Sequence, residues 1–280
     1  MTAPGGAGPG ASIGALVARG REAEIWDLGD GTVLKLFFDT TKGPVAAREA
    51  HVLAVLRASG IRVPAVLAET VVDARPGLVL ERVAGVDMLT LIGRQPWRAL
   101  TAGRVLARVH AALHEVQAPD TLASLTARLR ARLSSSPHLG EDERARLLSI
   151  LEAQRDGTGL CHGDLHLENL LGTPPDPTVI DWTAATSGPP AADVARTWVI
   201  LQFGEPPGTA PGVIRRLAPL LRRSVISQYV TTYRATRPDS LERLHEWRIL
   251  QAAARMGETT DTESARIRSW LDAALVMERS

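Results

Sequence analysis

Apolar and polar positions alternate in short runs between residues 13 and 38, where ALVARGREAEIWDLGDGTVLKLFF supplies three stretches of strand length. Gly20 interrupts the first pair, and Gly29-Asp30-Gly31 is a turn signal ahead of the third. Residues 43–58 change to a helical period, with Pro44 suited to the first turn and Gly60 just past the end. Two further strands are predicted near 65–72 and 77–83, around a turn at Arg75-Pro76-Gly77. After Gly85 helical patterns dominate, at 97–116, 121–133, 141–154 and beyond Pro190. The stretch GLCHGDLHLENLLGTPPDPTVIDW interrupts them as strand, polar loop, strand, Pro-rich turn and strand. The last 70 residues are again helical, divided near Pro207, Pro238 and Gly257. No internal repeat is found.

This order predicts an α+β chain in two parts. A small antiparallel β-rich N-lobe with one helix spans 13–82, and a larger, mainly helical C-lobe spans 83–280. Residues 1–12, MTAPGGAGPGAS, read as a flexible tail, without the basic start or apolar core of a signal peptide.

Composition narrows the function classes. The chain has 280 residues, 45% hydrophobic and 22% charged, with a net charge of +1. That balance argues against a nucleic-acid partner or a membrane surface. No apolar run approaches the ~20 residues of a membrane-spanning helix. The single cysteine, Cys161, rules out an internal disulfide and fits a reducing cytoplasm. No obligate protein partner is evident. Lys35 and Lys42 are the only lysines, so a lysine retained at an unusual position carries weight.

Lys35 is at such a position. Strand alternation puts it on one side with Val33 and Phe37. On the helix at 43–58, Glu49 shares a stripe with Val45, Val52 and Leu56. Two opposite charges in apolar faces of neighbouring elements either pair with each other or lie at the margins of those faces. The loop HGDLHLEN then places Asp164 and Asn169 five residues apart, with Asp181 following in VIDW. Phosphoryl transfer needs an acceptor for the substrate hydroxyl proton and oxygen ligands for Mg²⁺ on the phosphates. An aspartate in a tight loop suits the first task, and an asparagine and a second aspartate brought together by a hairpin suit the second. His162 reads as a brace for the loop.

HGDLHLEN followed by VIDW resembles the signature of the aminoglycoside phosphotransferase/choline kinase-like family, relatives of the protein kinases. The resemblance runs over about residues 12 to 260 and implies a bilobal protein kinase-like fold. It implies an enzyme that moves the γ-phosphoryl group of ATP, with Mg²⁺, to a hydroxyl of a small molecule such as an aminoglycoside or other antibiotic, a sugar or an amino alcohol. It makes Asp164 the catalytic base, Asn169 and Asp181 the metal ligands, and Lys35, paired with Glu49, the contact to the α/β-phosphates. Glu81-Arg82-Val83 becomes the hinge at the adenine, and RGREAEIW, with Gly20, the loop over the phosphates. His166 is placed near the transferring phosphate or the loop. Asp193 becomes a support of the catalytic loop.

The departures are informative. RGREAEIW is not G-x-G-x-x-G, HGD and IDW stand in place of HRD and DFG, and no A-P-E follows. These favour a small-molecule kinase over a protein kinase, while the presence of every expected catalytic position argues against the other alternative, a catalytically silent nucleotide-binding protein. His110 and His114, four apart on a helix, lack H-E-x-x-H and a third ligand and read as structural. Trp182 and Trp198 read as core. From residue 200 onward 12 Arg face 9 Asp and Glu, which speaks against a polycationic acceptor. Glu242, Glu246 and Arg255 are candidates to line the acceptor site.

Overall fold

A computed structural model describes residues 14–205 and 212–277. The tail at 1–12 and the helix division at Pro207 lie outside them. The chain opens with β1 (Leu16–Arg19), β2 (Ala23–Gly29) and β3 (Thr32–Phe37), then α1 (Gly43–Ala58), β4 (Val66–Val72) and β5 (Arg75–Glu81). The five strands form one antiparallel sheet in the order β1-β2-β3-β5-β4. Strand β3 lies at its centre and is buried from Val33 to Phe37, on both faces. Lys35 is therefore inside, between neighbours that a half-exposed strand would have turned to water.

The turn before β5 lies earlier than the Pro-Gly pair suggests. Asp73 and Ala74 make it, both at positive φ (49° and 63°), the two-residue hairpin geometry that matches strand twist. Pro76 and Gly77 belong to β5. The ladder to β3 ends at Leu36↔Gly77, so the amide that Pro76 lacks lies beyond that pairing.

Beyond the sheet come α2 (Met88–Arg94), α3 (Ala99–Leu113), α4 (Leu125–Ser135) and α5 (Glu141–Glu152). Helix α2 is absent from the sequence reading, because seven residues carry too few turns to show a period. The Asp87 side chain caps it by accepting from the Thr90 amide (2.8 Å). Short strands follow: β6 (Gly159–Cys161), β7 (Leu170–Leu171), β8 (Thr178–Val179) and β9 (Thr186–Gly188). They pair as two small ribbons, β6 with β9 and β7 with β8. The chain ends with α6 (Pro190–Phe203), α7 (Gly212–Thr236), α8 (Leu244–Arg255) and α9 (Asp261–Met277). Helix α6 is buried along nearly its whole length, which makes it the axis of the helical part. The architecture is the bilobal α+β, kinase-like fold. Among the described residues no helix is long and apolar enough to cross a membrane.

Helices α3 and α7 approach so closely at Gly103 that a Cβ there would stand 2.2 Å from the Val225 carbonyl oxygen. Gly103→Ala is expected to force them apart and cost about 1–3 kcal/mol. Urea unfolding measures this, and an unchanged midpoint would show that the close approach is not tight in solution.

Candidate active site

Three elements meet at Lys35. Its Nζ donates to Glu49 Oε1 on α1 (2.8 Å) and to Asp181 Oδ1 after β8 (2.9 Å). Glu49 Oε1 also accepts from the Trp182 amide (3.0 Å), so one carboxylate oxygen ties strand, helix and loop together. Burial alone would depress the Lys35 pKa, but the charges of Glu49 and Asp181 outweigh it and hold it raised. Of the two options open in the sequence, pairing is the one realised. Burial likewise opposes ionisation of Asp181, and Lys35 overrides it, so its pKa is lowered. Asp181 takes a left-handed backbone (φ 62°), rare for a residue with a side chain and characteristic of functional loops. Its side chain is half-exposed.

Between β6 and β7 the loop turns at Gly163 (φ 78°), where a Cβ would meet the Ala184 carbonyl oxygen at 2.5 Å. Only glycine fits both conditions. Asp164 follows. His166 stands 3.7 Å and Arg196 3.8 Å from its carboxylate. Burial raises its pKa, but the interaction with His166 and the charge of Arg196 prevail and hold the carboxyl far below the usual range. Asn169 Nδ2 donates to the Asp164 carbonyl oxygen (2.9 Å). That oxygen can only accept, so the amide orientation is fixed and Asn169 Oδ1 faces the other way.

The loop hangs from one buried carboxylate. Asp193 Oδ2 accepts from the His162 amide (2.6 Å) and Oδ1 from the Gly163 amide (2.9 Å). His110 Nε2 (3.0 Å) and His114 Nε2 (3.4 Å) also donate to Oδ2. Because Nε2 carries the proton in both rings, Nδ1 accepts, from Tyr229 and Tyr233 hydroxyls respectively, each at 2.6 Å. His110, His114 and Asp193 have the ligand types of a metal trio, yet every ring nitrogen already has a hydrogen-bond partner. Both histidines serve as donors to the anchor. Burial opposes the charge of Asp193, but its histidine partners outweigh it and the pKa lies well below the ordinary value. His162 braces the loop from within: Nε2–H donates to Ile180 O (3.1 Å) while Nδ1 accepts the Asp164 amide (3.3 Å). Its ring packs on Trp182, which is core as expected.

The hinge segment follows β5. The Glu81 amide donates to Ala65 O (2.9 Å) and the Arg82 amide to Gly31 O (2.8 Å). The Glu81 side chain turns back to the Ala65 amide (3.1 Å). The Val83 amide has no hydrogen-bond partner among the described residues. Gly20 lies in the turn between β1 and β2, its amide bonded to Ala23 O (2.9 Å), and its backbone needs no positive φ. The next residue, Arg21, donates to the Glu258 carbonyl (2.9 Å), so this turn reaches the link between α8 and α9.

Two groups on α6 are absent from the sequence reading. Arg196 Nε donates to Gly163 O (3.2 Å) and Thr197 Oγ1 to Leu165 O (2.9 Å). They lie three and four residues after Asp193, so one helix face holds the loop at three points. That spacing in DVARTW is the signal that could have revealed them. Of the suggested acceptor-lining residues, Arg255 is buried against Glu263 (2.5 Å) and Glu246 is paired with Arg243 (2.8 Å). Arg255 is thereby committed to structure. Glu242 is exposed.

A strand-rich lobe with a buried lysine, set against a loop hung from a central helix, defines a kinase-like phosphotransferase. The model of the phosphotransferase enzyme family matches residues 14–238. The chain belongs to that family and is a small-molecule phosphotransferase. Comparison with curated protein sequences gives no match. Among solved structures, a thermostable mutant of the aminoglycoside phosphotransferase APH(4)-Ia in its apo form is similar in fold. It has 16% identity over 95% of this chain and 96% of that one, with a TM-score of 0.68. An aminoglycoside-3'-phosphotransferase of type VIII shows 21% identity over 86% and 92%, with a TM-score of 0.59. The amicoumacin kinase hAmiN, in complex with AMP-PNP, Ca²⁺ and Ami, shows 14% identity over 93% and 87%, with a TM-score of 0.66.

Burial, reinforced by His110, lowers the His114 pKa from 6.5 to about 4. Between these values the unfolded chain binds a proton that the folded one refuses, so stability rises with pH across the window and is lost as pH falls through it. The contribution is on the order of 3 kcal/mol. Thermal unfolding between pH 4 and 6.5 is expected to show this slope, reduced in His114→Gln. An unreduced slope would remove His114 as its source.

Proposed function

We propose that the protein transfers the γ-phosphoryl group of ATP to a hydroxyl of a small molecule. The carrying observation is the chain of contacts from Glu49 through Lys35 to Asp181, with Asp164 on the adjoining loop. In this reading residues 13–82 form the nucleotide-binding lobe and 83–280 the lobe that holds the acceptor. The enzyme works in the cytoplasm and needs no protein partner.

The donor set fits a hard divalent cation. Asn169 Oδ1 and Asp181 Oδ2 are oxygens without a hydrogen-bond partner among the described residues. Oxygen ligands of this kind suit Mg²⁺, and these two residues would hold it. When bound, the ion neutralises phosphate charge and orients the nucleotide.

The chain's own groups do the rest. Lys35, kept cationic by its carboxylates, faces the α/β-phosphates, and Glu49 fixes its direction. The free Val83 amide, beside Glu81, offers the adenine a donor on the hinge. The turn at Gly20 covers the phosphates. Asp164 stays ionised at any working pH, so it is a weak base in the ground state. It orients the acceptor hydroxyl and takes the proton only as the new bond forms, when that proton becomes acidic. His166 stands beside the reacting phosphoryl group, and His162 and Asp193 keep the loop in place.

The relatives of this fold include structures with ADP and hygromycin B or with AMP-PNP bound, which supports a nucleotide donor and a small acceptor. Asp164→Asn is expected to lower kcat by about 10³-fold or more while leaving ATP affinity within about twofold. The measurement is ADP release with an acceptor found by screening aminoglycosides, macrolides, sugars and amino alcohols. Undiminished turnover in the variant would remove Asp164 from the reaction.

A further inference from the structure

Guanidinium groups gather near Asp164. Arg128 and Arg132 lie one turn apart on α4, beside the buried stripe of Leu125, Leu129 and Leu133. Arg132 pairs with Glu258 Oε1 (2.5 Å) and Arg196 with Glu258 Oε2 (2.6 Å). Arg196 also stands 3.8 Å from Asp164, and Arg21 donates to the Glu258 carbonyl oxygen. Among the described residues Arg128 bonds only a carbonyl, that of Ala184 (2.9 Å). Arg21, Arg132 and Arg196 thus crowd around Glu258, and Arg128 feels the charge of both Glu258 and Arg196. Arg196 is 6% exposed, and its Nη1 is enclosed with no hydrogen-bond partner among the described residues. Burial is the main cause that lowers the Arg128 pKa; Glu258 pulls against it, the like charges of Arg196 and Arg48 add to the lowering, and Glu22 offsets them in part.

Such crowding is unfavourable unless an anion relieves it. A polycationic acceptor would add to it. We propose that the hydroxyl acceptor carries an oxyanion group, carboxylate or phosphate, held by Arg128, Arg132 and Arg196 while its hydroxyl meets Asp164. This rests on the phosphotransferase reading above and names the substrate class of the same site. Arginine suits the task because its planar fork binds carboxylate and phosphate oxygens two at a time.

The test fills the nucleotide site first, with saturating Mg²⁺ and AMP-PNP, and then titrates four probes calorimetrically. Inorganic sulfate stands for a tetrahedral anion, gluconate for a hydroxy acid, sorbitol for a neutral polyol and kanamycin for a polycation. Binding of sulfate or gluconate, weakened at least about tenfold in Arg128→Gln and restored in part by Arg128→Lys, supports the assignment. The better of the two probes identifies the anion type. Arg130→Gln, at the exposed pair with Glu152, is the control and should leave binding unchanged. Absence of anion binding, equal binding in Arg128→Gln, or tighter binding of kanamycin than of either anion would overturn it. Failure of AMP-PNP itself to bind would instead overturn the nucleotide site. The anion titration can then be made on the free protein.

Discussion

The structure depends on one buried carboxylate. Asp193 collects four donors, two from the backbone of the loop before Asp164 and two from histidines, His110 on α3 and His114 just past its end. A buried charge is costly unless it is paired and hydrogen-bonded, and the donors here come from two constraints on the fold, the loop backbone and the two histidines. The loop amides fix where the backbone of His162 and Gly163 lies. The histidines are in turn oriented by Tyr229 and Tyr233 of α7. Position therefore passes from two packed helices, through a single side chain of α6, to the loop that carries the candidate chemistry.

The same logic explains the strain at the site. Gly163 and Asp181 both hold left-handed backbone, and each is pinned by groups that the core controls. The Gly163 amide and carbonyl are held by Asp193 and Arg196. Asp181 is held by Lys35 from the middle of a buried strand. The two lobes contribute opposite charges to one small volume, which couples the sheet to the helical part through electrostatics as well as packing.

Lys35 and Glu49 were legible in the sequence because charge in an apolar stripe violates its own periodicity, and a local rule is enough to expose it. The loop from His162 to Asn169 was legible because its polar residues are dense and bounded by apolar anchors. The donors around Asp193 were not. His110 meets Tyr229 across 119 residues, and no spacing rule reports which helices pack together. The sequence assigned His110 and His114 a structural role but could not say with what. The arginines of α4 drew no reading from the sequence, since their significance comes from Arg196 and Glu258, distant in sequence. The turn at Asp73-Ala74 was misplaced because Pro-Gly is the stronger local signal, while sheet register decides where it falls.

The central proposal is that Asn169, Asp181 and Lys35 form one nucleotide-metal site facing Asp164. Electron paramagnetic resonance of Mn²⁺, titrated with AMP-PNP and protein, tests it most directly. The account predicts one saturable ternary complex in the native chain, lost in both Asn169→Ala and Asp181→Ala. Undiminished Mn²⁺–nucleotide binding in both variants would contradict it.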